Sequence, residues 1–108
     1  MKQRTLKKTY TFEGKGLHTG CYSHLSLKPA PADTGIVFVR TDLNLEIPAL
    51  AQYVSKTSRS TTITKGKASV STIEHVMSAL TGLGVDNAYV EVDNREVPIL
   101  DGSARLYA

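Results

Sequence analysis

Cysteine is nearly missing from this sequence. Cys21 is the single one, which excludes an internal disulfide and a cysteine-rich zinc knuckle. Tryptophan is absent and aromatic residues make up only 6% of the chain, too few for the stacking platforms on which RNA-binding sheets rely. No apolar run approaches the roughly 18 residues that a membrane helix needs, so no transmembrane segment is expected. The basic start, Met1-Lys2-Gln3-Arg4-Thr5-Leu6-Lys7-Lys8, leads into no hydrophobic signal region. Repeats, low-complexity tracts and internal linkers are missing as well. Together these absences point to a cytoplasmic globular protein.

What is present is ordinary in bulk and specific in pattern. A chain of 108 residues, 41% hydrophobic and 21% charged, has the composition of one soluble domain. That length buries roughly two-thirds of the surface exposed by the unfolded chain. A net charge of +3 is enough to welcome an anionic partner without naming one. The alternative reading at this level is a small basic β-rich nucleic-acid-binding module built on Lys2, Arg4, Lys7 and Lys8. The scarcity of aromatics argues against it, and no nucleic-acid partner is expected.

Alternation of polar and apolar residues predicts strands over Thr5–Phe12, Tyr22–Lys28 and Ala88–Val92. Lys8 interrupts the first on its apolar face, which suits a sheet edge. Ile36-Val37-Phe38-Val39 is a continuous apolar run of the kind found in a strand covered on both faces. Ala49–Val54 and Ser60–Thr64 read as further strands, with Lys65-Gly66-Lys67 as a hairpin turn after the second. Gly14-Lys15-Gly16-Leu17-His18-Thr19-Gly20 packs three glycines into seven residues. It reads as a tight turn or as a loop able to approach a ligand, and its spacing is not that of a dinucleotide-binding fingerprint.

The stretch Ser69–Gly84 organises the rest. Ile73, Val76, Met77, Leu80 and Leu83 recur at the spacing of an apolar helical stripe. Ser71-x-x-Glu74 has the form of a capping box at its start, and Gly82 and Gly84 supply the stop. Strands around one main helix predict an α+β fold, a mostly antiparallel sheet packed on that helix.

Glu74 and His75 then stand side by side in the first turn. Two readings are open from the residues alone. Glu74 can be the capping acid and His75 an exposed helical histidine. Alternatively His75 binds a metal through its neutral imidazole while Glu74 acts as a general base toward water. Adjacent helical residues point about 100° apart, so a single ion taking both is disfavoured. Catalytic zinc also needs about three protein ligands. The other histidines, His18 and His24, lie at no helical spacing from His75.

Several runs carry a resemblance to a known family: Lys2-Gln3-Arg4-Thr5-Leu6, the glycine-rich Gly14–Gly20, Leu27-Lys28-Pro29-Ala30-Pro31 and Asp33-Thr34-Gly35-Ile36-Val37-Phe38. Others follow: Arg40-Thr41-Asp42-Leu43, Ser71-Thr72-Ile73-Glu74-His75, Ala79–Glu91 and Val97-Pro98-Ile99-Leu100-Asp101-Gly102-Ser103-Ala104. In this order they resemble the N-terminal domain of the zinc-dependent UDP-3-O-acyl-N-acetylglucosamine deacetylases of lipid A biosynthesis. The resemblance implies one zinc ion with His75 as a ligand and Glu74 as the general base that activates water at the metal. It places Leu17, His18 and Ser60 near the substrate, a UDP-sugar lipid, and makes Asp101 a supporting or domain-junction residue. It also implies a strand-rich insert at about 51–70. The remaining metal ligands and a histidine general acid would come from a second domain of the same enzyme. The chain would then hold half of a catalytic centre and be inactive alone. An apolar face meant for that second domain would favour self-association.

Overall fold

The computed structural model describes residues 3–16, 19–56 and 61–98. Its main sheet has five strands: β1 (Tyr10–Lys15), β2 (Tyr22–Pro29), β3 (Ile36–Arg40), β4 (Leu45–Pro48) and β8 (Ala88–Val92). They lie in the order β1-β2-β8-β3-β4. All neighbours are antiparallel except β3 and β8, which run parallel. A second sheet holds β5 (Val54–Lys56), β6 (Thr61–Lys65) and β7 (Ala68–Ser71) in sequence order, and one α-helix, α1 (Glu74–Gly82), follows it. The architecture is α+β with a mostly antiparallel sheet, as the alternation predicts.

Register explains the core. Phe12 pairs with Leu25, Leu25 with Val92, Leu27 with Val90, Val90 with Phe38 and Phe38 with Ile47, so these side chains share one sheet face. That face packs with Ile63, Ala68 and Val70 of the small sheet and with Ile73, Val76, Ala79 and Leu80 from the helix. The opposite face carries Glu13, His24, Lys28 and Glu91, which occupy the alternate positions of the same strands. Period-two patterning has put one face in oil and the other in water. Val37 and Phe38 sit on opposite faces and both are buried, in keeping with a strand covered on its two sides.

Local details correct several expectations. The first strand begins at Tyr10 rather than Thr5 and runs through Gly14 to Lys15, with Thr5 making only an isolated parallel bridge to Asn87. The turn after it therefore starts at Gly16, whose carbonyl accepts from the Gly20 amide. Residues 51–53 form a 3-10 turn, not a strand, and extended pairing begins only at Val54. The Lys65-Gly66-Lys67 hairpin forms as expected, with Gly66 in the left-handed region.

The N-terminal segment is stitched to two distant turns. Asn87 is buried; its side-chain amide donates to Gln3 Oε1 and its Oδ1 accepts from the Gly35 amide. The Arg4 amide donates to Asp86, and the Thr5 hydroxyl donates to the Asn87 carbonyl. Three runs quoted above for their resemblance thus meet in one polar knot whose role is to close the fold. Among the described residues no helix is long and apolar enough to cross a membrane.

Candidate functional site

Helix α1 starts at Glu74, two residues later than a cap at Ser71 predicts, and Ile73 occupies its N-cap position without a side-chain hydrogen bond. The capping box is not formed. The Ser71 hydroxyl donates instead to the Arg95 carbonyl, and Glu74 Oε1 accepts from the Thr61 backbone amide at 3.0 Å. Strand geometry wins over Ser69–Ser71 because Ala68 and Val70 alternate inward and are fully buried in the small sheet. Glu74 consequently serves no capping function; its carboxylate is tied sideways to the first residue of β6.

Thr61 acts as a clamp on this corner. Its N–H donates to Glu74, while its carbonyl accepts from the amides of Thr72 at 2.9 Å and Ile73 at 3.4 Å. Thr72 turns the chain from strand into helix at φ 62°, a left-handed conformation costly for a β-branched residue. Glu74 and His75 emerge from this turn exposed, beside the buried Ile73 and Val76.

Glu74 borders an apolar hollow of about 330 Å³ lined by Leu50, Val54, Ile63, Ile73 and Met77, with Ala49 and Thr61 completing it. Leu50 and Val54 are 51% and 39% exposed, so the hollow opens to solvent along one side. A carboxylate oriented by a backbone amide at the rim of an apolar recess is suited to receive a proton beside a partly apolar ligand. His75 is exposed on the same first turn, free of the core contacts that hold Val76 and Leu80.

His24, the other histidine within the described residues, is placed elsewhere. It projects from the solvent face of the large sheet, on the side away from α1, between Asp93 and Glu13. Its Nδ1 lies 2.8 Å from Asp93 Oδ2 and its Nε2 lies 3.1 Å from Glu13 Oε2. The Asp93 hydrogen bond holds its pKa above the ordinary histidine value of 6.5. Leu17, His18, Ser60 and Asp101 lie outside the described residues.

Two residues near the corner carry no sequence signal. Glu96 is completely buried, and its carboxylate accepts from the Thr19 amide, the Thr19 hydroxyl and the Thr72 hydroxyl. Nothing in Asn94-Arg95-Glu96-Val97 marks this acid as interior, because its partners are 24 and 77 positions away. Thr61 contributes through its backbone, which sequence reading cannot assign.

Residues 3–108 match the LpxC family, described as UDP-3-O-acyl N-acetylglycosamine deacetylase. Over 106 residues the chain is 57% identical to the UDP-3-O-acyl-N-acetylglucosamine deacetylase of Pseudomonas entomophila (strain L48), covering 96% of this chain and 35% of that protein. It is 56% identical over 106 residues to the protein of the same name from Hahella chejuensis (strain KCTC 2396), with the same 96% and 35% shares. The chain therefore spans about a third of the length of these curated relatives. With every described element inside the matched region, this chain belongs to the UDP-3-O-acyl N-acetylglycosamine deacetylase family.

Proposed function

We propose that the chain is the N-terminal part of a zinc-dependent amide hydrolase that removes acetate from a UDP-3-O-acyl-N-acetylglucosamine in the cytoplasm, a step of lipid A biosynthesis. The observation that carries this reading is the pairing of Glu74 and His75, both exposed on the first turn of α1, with the Glu74 carboxylate steered by Thr61 at the rim of an apolar hollow.

Among the described residues no group of three or more His, Cys, Asp or Glu is arranged to hold a metal ion. His75 fits as a single exposed imidazole ligand, and the rest of a coordination sphere has to come from outside those residues, in this reading from a second domain. When bound, zinc supplies a lowered water pKa, toward about 7, and polarisation of the substrate carbonyl. Glu74 takes a proton from the attacking water on the carboxylate oxygen not held by Thr61. A carbon–oxygen bond forms at the acetamide carbonyl, the carbon–nitrogen bond breaks, and acetate and the free amine leave. A histidine of the second domain protonates the departing amine. Leu17, His18 and Ser60 contact the substrate in this reading, and Asp101 supports the junction with the second domain.

Two assays test it. The purified 108-residue chain with added zinc is expected to show no turnover, and activity above buffer would refute the half-site assignment. In a full-length enzyme carrying this chain, Glu74→Gln is expected to cut kcat by about 10²–10⁴-fold, the usual contribution of a general base. An unchanged rate there would remove Glu74 from the chemistry.

A further inference from the structure

The buried carboxylate of Glu96 is linked to the Glu74–His75 corner through Thr72. It stands on the segment Arg95–Pro98, which is wedged between two other parts of the chain. On one side Glu96 bridges Ser71 in parallel, with the Ser71 amide donating to the Arg95 carbonyl and the Val97 amide to the Ser71 carbonyl. On the other side Pro98 bridges Gly16, at the start of the glycine-rich turn. Within that wedge Glu96 Oε1 accepts from the Thr19 amide and hydroxyl, both at 2.8 Å, and Oε2 accepts from the Thr72 hydroxyl. The Ser23 hydroxyl donates to its backbone carbonyl at 3.0 Å.

A carboxylate is the one common side chain that only accepts, through two oxygens with several lone pairs, so it can satisfy donors from separate segments at once. Burying one is costly unless those donors are in place. On the Gly16 side there is no spare room, since a methyl group there would run into Oε1. The most informative of its donors is Thr72. Strained backbone persists where its surroundings over-determine it, and Thr72 is held on both sides: its amide by Thr61 and its hydroxyl by Glu96. The same Thr61 orients the Glu74 carboxylate.

We propose that Glu96 is a positioning residue for this site: its carboxylate locks Thr72 in the left-handed turn and so fixes the point and direction from which α1 delivers Glu74 and His75. The inference rests on the catalytic reading of that pair given above. Loss of the lock leaves substrate contacts in place but lets the reacting groups drift, and a displacement of about 1 Å is enough to cost up to 10²-fold in rate.

The test uses a full-length enzyme carrying this chain. Thr72→Val removes the hydroxyl while keeping the branched shape, Thr72→Ser keeps the hydroxyl, and Glu96→Gln removes the charge. Ser23→Ala is the control, because it deletes a buried hydrogen bond to the Glu96 carbonyl without touching the carboxylate. Thr72→Val and Glu96→Gln are each expected to lower kcat by about tenfold or more with KM little changed. Their combination should be no worse than the more damaging single variant, since both break one link. Thr72→Ser should recover most of the rate, and Ser23→Ala should lower Tm while leaving kcat alone. Equal kcat for Thr72→Val and Thr72→Ser would overturn the proposal, as would a Glu96→Gln loss no greater than that of Ser23→Ala. If Glu96→Gln does not fold, the Thr72 pair decides, since neither member alters the charge. Glu74→Gln separates the two levels: full activity in that variant defeats the catalytic reading and this inference with it, whereas an inactive Glu74→Gln beside a fully active Thr72→Val defeats this inference alone.

Discussion

His24 sits between two carboxylates on the solvent face of the large sheet, and its charge state is tied to the folded state. Hydrogen bonding to Asp93 raises its pKa above 6.5, and the Glu13 charge acts in the same direction. A histidine whose folded pKa is raised stabilises the fold fully below its unfolded value and loses that contribution as pH rises through the folded one. The Tm difference between the parent chain and His24→Gln is therefore expected to be largest near pH 5.5 to 6 and to shrink toward alkaline pH. Thermal melts across that range check it, and a gap that widens with pH would be the wrong sign. Asp42 behaves in the opposite sense: Arg40 beside it lowers its pKa below 3.8, so its contribution is present above that value and fades on acidification.

Two glycines show how different physical limits act on one residue type. Gly66 has φ 61° and nothing within 4 Å of an added methyl, so Gly66→Ala pays only for the left-handed backbone, about 1–2 kcal/mol. Gly16 has no such backbone constraint, but its added methyl would run into the hydrogen-bonded Glu96 carboxylate and the Thr19 hydroxyl, and overpacking of that kind costs up to about 3 kcal/mol. Urea unfolding of the two variants should rank them in that order; reversal would mean that the Glu96 pocket yields easily.

At the scale of elements, α1 buries one stripe and leaves its end free. Val76 and Leu80 are essentially inaccessible, whereas Leu83 is 43% exposed. Leu80→Ala is expected to cost about 2–5 kcal/mol and Leu83→Ala less than about 0.5 kcal/mol, readable from denaturation midpoints. The stripe of Ile73, Val76 and Leu80 was legible because a period of 3.6 survives any context. The helix start was not. Ser69, Val70 and Ser71 satisfy a strand alternation as well as the approach to a helix, and the choice is made by Ile63 and Val54 across the small sheet, positions far enough away to leave no local trace. Glu74 and His75 were found because they are adjacent in sequence and fall on the first turn. Glu96, Thr72 and the Thr61 amide were missed because what joins them is three-dimensional.

For the molecule as a whole, the exposed Leu50 and Val54 beside Met77 form an apolar recess that water covers poorly. The isolated chain is expected to self-associate with rising concentration, and Leu50→Lys should weaken the association. Sedimentation velocity measures both; a strict monomer at high concentration would count against that recess as a sticky face. Among the described residues, the polar knot around Asn87 takes in Gln3–Thr5, Gly35 and Asp86, and the wedge around Glu96 takes in Gly16, Thr19, Thr72 and Pro98, so these parts of the family-like motifs are structural in their immediate contacts.

The middle strand of the large sheet, β8, comes after the other four described strands of that sheet in the chain. β2 and β3 cannot meet directly and are joined only through residues 88–92, antiparallel on one side and parallel on the other. On the ribosome, the two flanking hairpins must wait with the backbone edges of β2 and β3 unpaired until that strand emerges. The nascent chain up to residue 87 is thus the stage at which a chaperone has most to hold, and a ribosome stalled there should release a product that aggregates.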